Sequence, residues 1–167
     1  MAFGLAITPG SGAAPTASDP LEVRLTAENY HWVARYSGAD GVFGTDDDVV
    51  ALADRLILPA KRPVRMMITS RDKAYSLHLP HLRRRELALP GARAELWLPP
   101  QPAGSWPYRG DQFCGFSHDS LHGLLVTLGP EAFAAWQAKH AGEQTVNLTN
   151  PWDTIVRENL ILPEKTG

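Results

Sequence analysis

The sequence predicts an all-β domain, a barrel or sandwich of many short strands, with one short helix near its C-terminal end. Two observations carry this. From Leu21 onward, runs of five to nine residues alternate apolar and polar side chains with the period of a half-buried strand, and turn residues cut them at regular intervals. A single stretch, "GPEAFAAWQAKH", carries a helix start signal instead.

The elements follow in order. "LEVRLTA" alternates with period two, and the aromatic-rich "YHWVARY" follows almost at once. "SGADGVFGTDDDV" reads as a Gly/Asp loop. "VVALADRLILP" and "RPVRMMITS" are the next two strands, separated by "AKRP". A strand runs through Tyr75 and ends near Pro80, which cannot donate to a ladder. "RRRE", Arg83 to Glu86, reads as a solvated basic loop. "ARAELWLPP" alternates again, and "SWPYRG" and "HGLLVTL" flank the loop "GDQFCGFSHDSLHG". In the helix, Pro130 occupies the first turn and Glu131 lies at the positive end of the dipole. Trp97, Phe133 and Trp136 are expected in the core.

The chain divides into a Gly/Pro/Ala/Ser-rich lead-in over 1–20, a domain over 21–142, and a C-terminal extension over 143–167. Its 167 residues suffice for one core, and a net charge of −2 argues against a nucleic-acid partner. The single cysteine excludes an internal disulfide and a four-cysteine zinc site. No run reaches the ~20 apolar residues of a membrane helix, and the start lacks the charged region of a signal peptide.

One cluster has metal chemistry. Cys114, His118 and His122 fall within nine residues. A thiolate and imidazoles are copper ligands, and a type 1 copper takes two histidines and one cysteine. The second histidine is open: Tyr75, His78 and His122 are candidates. Tyr75 would have to ligate as a phenolate against a pKa near ~10. His78 lies on the opposite strand face from Tyr75 unless the strand ends there. The aspartates of "DGVFGTDDDV" could hold calcium, but the loop lacks a twelve-residue hand with its terminal glutamate. A solvated acidic loop is the expectation.

These residues carry a family resemblance. "YHWVARYSG", "DGVFGTDDDV", "LILPAKRPVRMMITSRDKAYSLHLPHLRRRELALPG", and "CGFSH" followed by a strand and "GPEAFAAWQ" resemble the extramembrane domain of cytochrome c oxidase subunit II. That domain carries the dinuclear CuA centre. Pro80 with Arg83, and Ala88 with Pro90 and Gly91, match its P-x-x-R and A-x-P-G anchors. The resemblance implies a Greek-key cupredoxin barrel. It implies a non-catalytic subunit of a haem-copper oxidase or nitric oxide reductase type complex, on the extracytoplasmic (periplasmic) face of a membrane. The implied partners are the membrane subunit, which Arg83 would meet, and a cytochrome c or cupredoxin donor.

The departures fall on the copper ligands. Tyr75 stands at the first histidine, Gly110 at the first cysteine, Gln112 at the glutamate and Leu121 at the methionine. Cys114 and His118 match the second cysteine and second histidine. Tyr30 replaces the tryptophan that receives electrons from cytochrome c, Trp32 matches the second tryptophan, and Leu87 replaces the aspartate before A-x-P-G. A dinuclear centre needs two bridging thiolates, so one cysteine excludes CuA within this chain. What remains is no metal or one copper at Cys114 and His118: a metal-free scaffold and docking module, or a mononuclear electron carrier. Gly110 would resist cysteine if its φ is positive.

Overall fold

Period-two burial organises the molecule. The computed structural model describes residues 19–112 and 119–144. In β1 (Leu21–Glu28), Leu21, Val23, Leu25 and Ala27 point inward while Arg24 faces water. β5 (Val64–Ser70) repeats the pattern with Val64, Met66 and Ile68, and pairs with β1 in parallel. β2 (His31–Tyr36) and β3 (Val49–Leu52) extend the sheet on one side and β8 (Ala94–Leu98) closes it on the other, giving the order β3-β2-β1-β5-β8. The second sheet takes β4 (Arg55–Pro59), β6 (Tyr75–Leu79), β7 (Arg84–Ala88), β9 (Gly104–Gln112) and β10 (Gly123–Leu128) in the order β4-β10-β9-β6-β7. The inner faces share one core, in which Trp32, Tyr36, Tyr75 and Tyr108 are the largest fully buried side chains.

The expected single strand "VVALADRLILP" is two strands in different sheets. Ala53 N–H donates to Trp32 O at 2.8 Å, closing β3 against β2. Leu124 N–H donates to Asp54 O at 2.9 Å, and β4 then runs parallel to β10. The backbone is handed from one sheet to the other at Ala53–Asp54. Asp54 and Arg55 interrupt the apolar run at the break, but a polar pair does not tell a turn within one sheet from a change of sheet.

The basic run is a strand and not a loop. Arg83 adopts a left-handed conformation (φ 53°) and its N–H donates to Pro80 O at 3.1 Å, ending the 3-10 turn Pro80–Leu82. The chain reverses there, and β7 pairs antiparallel with β6. As an edge strand, β7 has exposed Arg84 and Arg85 and no apolar alternation by which to find it.

Trp97 is 48% exposed, against the expectation that it is core. Strand parity overrides size: Leu96 and Leu98 take the inward positions, so Trp97 must face out. There it lies 6.0 Å from the Arg65 guanidinium and donates Nε1–H to Glu95. The helix α1 (Pro130–Lys139) forms where expected, with Pro130 in its first turn. Phe133 is buried, and Trp136 is half-buried with its ring centroid 5.0 Å from that of Tyr36. Gln137 Nε2–H donates to Ser37 O at 2.7 Å, tying the helix to the end of β2.

The acidic loop is solvated only in part. Asp40 and Asp46 are exposed, but Asp48 is fully buried. Its Oδ2 lies 2.8 Å from Arg35 Nη2 and accepts from Gly44 N–H at 2.8 Å. That carboxylate closes the loop onto β2. Residues 1–18 of the lead-in and 145–167 of the extension lie outside the described residues.

Candidate functional site

Four elements converge where the resemblance places copper ligands. β6 brings Tyr75 and β9 brings Gly110 and Gln112; Tyr75 is in register with Gln112 and Leu77 with Gly110. The 3-10 turn Asp119–Leu121 brings Leu121, and β2 brings Trp32. Tyr75 and Leu121 have no exposed surface, and Trp32 is 2% exposed. Cys114 and His118 lie outside the described residues.

Tyr75 is engaged as a neutral phenol. Its Oη–H donates to Asp72 Oδ2 at 3.0 Å and its oxygen accepts Tyr30 N–H at 3.2 Å. Its ring meets Tyr30 and Trp32 edge-on, with centroids 6.1 and 6.2 Å apart. Burial pushes the phenol well above its ordinary value of 10, and the Asp72 carboxylate acts in the same direction. A phenolate ligand would have to be made against both effects and would lose the Asp72 hydrogen bond.

Gly110 has no room for a side chain. A Cβ there would lie 2.5 Å from Trp32 Nε1, 2.7 Å from Leu121 O and 3.0 Å from Leu121 Cβ. Trp32 Nε1–H donates to Leu121 O at 3.2 Å, so the obstructing atoms are held together. Gly110 is not among the positive-φ glycines. The obstacle to cysteine is space, not backbone conformation. The position at which the resemblance places a first cysteine is thus filled by a tryptophan edge and a backbone carbonyl, and the described residues do not fit a dinuclear thiolate-bridged centre.

His78 points away from Tyr75: along β6, Tyr75, Leu77 and Leu79 are buried and His78 lies on the outer face. The strand ends at Leu79, one residue too late to turn His78 inward. His122 is half-buried just before β10, and its N–H donates to Asp119 O at 3.1 Å. Among the described residues no group of three or more His, Cys, Asp or Glu side chains could hold a metal.

Two features escaped the sequence reading. Asn29 and Tyr30 both take left-handed conformations (φ 48° and 65°) in the β1–β2 turn, a strained arrangement for non-glycine residues. Asp72 Oδ2 accepts Asn29 N–H at 3.1 Å, and Ser120 Oγ–H donates to Tyr30 O at 2.6 Å. Lys73 lies 4.2 Å over the Tyr30 ring and donates to its hydroxyl at 3.0 Å. The i, i+3 spacing of Asp72 and Tyr75 in "DKAY" was the available signal. The second feature is Glu28, fully buried, with Arg71 Nη1 3.6 Å from Oε1, beyond hydrogen-bond reach. Burial raises its carboxyl above the ordinary 4.5, with Arg71 opposing and Asp72 adding to the rise.

Comparison with known proteins agrees with this architecture. A family model described as cytochrome c oxidase subunit II, periplasmic domain, matches residues 31–127. The chain is 24% identical over 140 residues to the alternative cytochrome c oxidase subunit 2 of Bradyrhizobium diazoefficiens, covering 71% of this chain and 50% of that protein. It is 25% identical over 100 residues to cytochrome c oxidase subunit 2 of Cereibacter sphaeroides, covering 60% and 33%. The chain therefore spans half or less of these relatives. The crystal structure of the periplasmic domain of subunit II of cytochrome oxidase from Bradyrhizobium japonicum superposes with a TM-score of 0.61 at 17% identity, over 77% of this chain and 96% of that one. A mixed disulfide intermediate between a thioredoxin-like protein and subunit II of cytochrome c oxidase superposes at 0.59 and 17% identity, over 76% and 94%. At this identity the likeness shows the fold, which is the cupredoxin-like one.

Proposed function

This chain belongs to the family of cytochrome c oxidase subunit II periplasmic domains, and we propose that within it the domain over 21–142 works without CuA, as a scaffold and docking module. It would be a non-catalytic, extracytoplasmic part of a haem-copper oxidase type complex, placed against that complex's membrane subunit. The observation that carries this is the packing at Gly110. Where a second thiolate would have to stand, Trp32 Nε1 and Leu121 O already occupy the space. Tyr75, at the first histidine position, is buried and hydrogen-bonded as a phenol. Among the described residues no helix is long and apolar enough to cross a membrane.

A second reading keeps one copper. Cys114 and His118 hold the spacing C-x-x-x-H, and a single copper there would supply one-electron transfer. His122 would be the nearer candidate for a further ligand, since Tyr75 is committed and His78 faces outward. The donor would be a cytochrome c or a cupredoxin. With a single thiol the chain has no internal disulfide for a thioredoxin-like partner to attack.

Thermal unfolding of the wild type and Cys114→Ala, each with chelator and with a slight excess of copper, separates the readings. A ligand stabilises by binding the native state more tightly than the unfolded one. Coincident curves, with no thiolate-to-copper absorption, are the expected result. A copper-dependent rise of the wild-type midpoint that is absent in Cys114→Ala would overturn the scaffold reading. Two coppers per chain with a seven-line mixed-valence EPR signal would overturn the exclusion of CuA.

A further inference from the structure

The outer face of the second sheet carries a row of two arginines with a histidine between them. In the β6–β7 register His78 stands opposite Arg85, and in the β6–β9 register it stands opposite Arg109. The three side chains therefore form one row across three adjacent strands, on the face opposite the buried Tyr75, Leu77 and Leu79. Arg85 and Arg109 are exposed, and neither makes an ion pair among the described residues. Two guanidiniums on one sheet face, with no ion-pair partner among the described residues, repel each other and do not stabilise the fold. Edge protection explains Arg85, since β7 ends the sheet. It does not explain Arg109, because β9 lies between β10 and β6, an interior position with no edge to guard.

Apolar side chains flank the row on the same face. On one side is Leu87, half-buried, two residues along β7 from Arg85. On the other are Pro107, exposed, and its register partner Leu124, 39% exposed. A sheet face with arginines between apolar groups has the composition of a protein interface, where arginine is enriched and bridges carboxylates through its planar fork. A lipid headgroup surface fits less well, because Asp111 shares this face in the next row and would meet the phosphates.

We propose that the Arg85–His78–Arg109 row is the docking surface for a partner protein that presents carboxylates interspersed with apolar side chains. The inference rests on the docking reading above and gives that reading an address on the molecule.

The test is a titration of the full chain at low salt with a glutamate–tyrosine copolymer, with poly-L-glutamate, and with phosphatidylglycerol vesicles. Binding is followed by amide chemical shifts. The copolymer should bind more tightly than poly-L-glutamate, with shifts at β6, β7 and β9. The double variant Arg85→Gln/Arg109→Gln should weaken copolymer binding by about three- to tenfold, the usual yield of two exposed ion pairs. Leu124→Ser should remove the copolymer's advantage over poly-L-glutamate, and Lys139→Gln, on the helix, should change nothing. Wild-type affinity in the double variant, or shifts confined to other faces, would overturn the proposal. So would vesicle binding that depends on the two arginines while the copolymer fails to bind. The copper-dependent unfolding experiment does not involve Arg85, Arg109 or Leu124, so the scaffold reading stands or falls separately.

Discussion

Placing a cysteine at Gly110 tests the central structural claim directly. The new Cβ would lie 2.5 Å from Trp32 Nε1 and 2.7 Å from Leu121 O, where ordinary contacts are 3.4–4 Å. Either the indole moves by about 1 Å or the turn carrying Leu121 shifts, and both are packed with 2% or less exposure. Overpacking of this kind costs about 1–3 kcal/mol. Separating Trp32 from Leu121 O removes a buried hydrogen bond (3.2 Å) that adds about 0.5–1.5 kcal/mol. Gly110→Cys should therefore destabilise the domain by about 1.5–4.5 kcal/mol in urea unfolding under reducing conditions, the sum of those two contributions. Gly110→Ala should cost nearly as much, because the clash comes from Cβ and not from sulfur. In a Trp32→Phe background, which lacks Nε1, the added cost should fall by about 1 kcal/mol or more, a coupling typical of residues in contact. Gly110→Cys within about 0.5 kcal/mol of wild type, the scatter of an innocuous surface change, would refute the reasoning. So would a Gly110→Cys protein that binds two coppers.

Other substitutions probe the remaining features. Trp97→Ala should change stability by no more than about 0.5 kcal/mol in denaturant unfolding, whereas Phe133→Ala, at the buried position of the helix, should cost about 3–5 kcal/mol. Asp48→Ala should cost about 1–3 kcal/mol by leaving Gly44 N–H and Arg35 without their carboxylate. Glu28 has a raised native carboxyl pKa, so the folded state holds its proton more tightly than the unfolded chain does. Its contribution is fully present below the ordinary 4.5 and is lost as pH rises through the native value. Glu28→Gln should remove that decline, seen as a flatter midpoint-versus-pH curve over the window above 4.5.

The strand content, the helix and its Pro130 start were readable because each is written in local pattern: period two in "LEVRLTA", a helix signal in "GPEAFAAWQAKH". That the chain holds one thiol, where a thiolate-bridged pair of ions needs two, was readable too, since a count needs no coordinates. What sequence could not decide was anything set by parity or by contact across the chain. Trp97 looks like core by size, but which face a strand residue takes depends on which neighbours the sheet buries, and Leu96 and Leu98 hold the inward positions. "VVALADRLILP" is two apolar runs around Asp54 and Arg55, and the hydrogen bonds from Ala53 to Trp32 and from Leu124 to Asp54 place those runs in different sheets. Gly110 is one letter in the sequence. That its Cβ position is occupied by Trp32, far off along the chain, and by the Leu121 carbonyl is a fact of packing, and packing is decided only when distant strands meet.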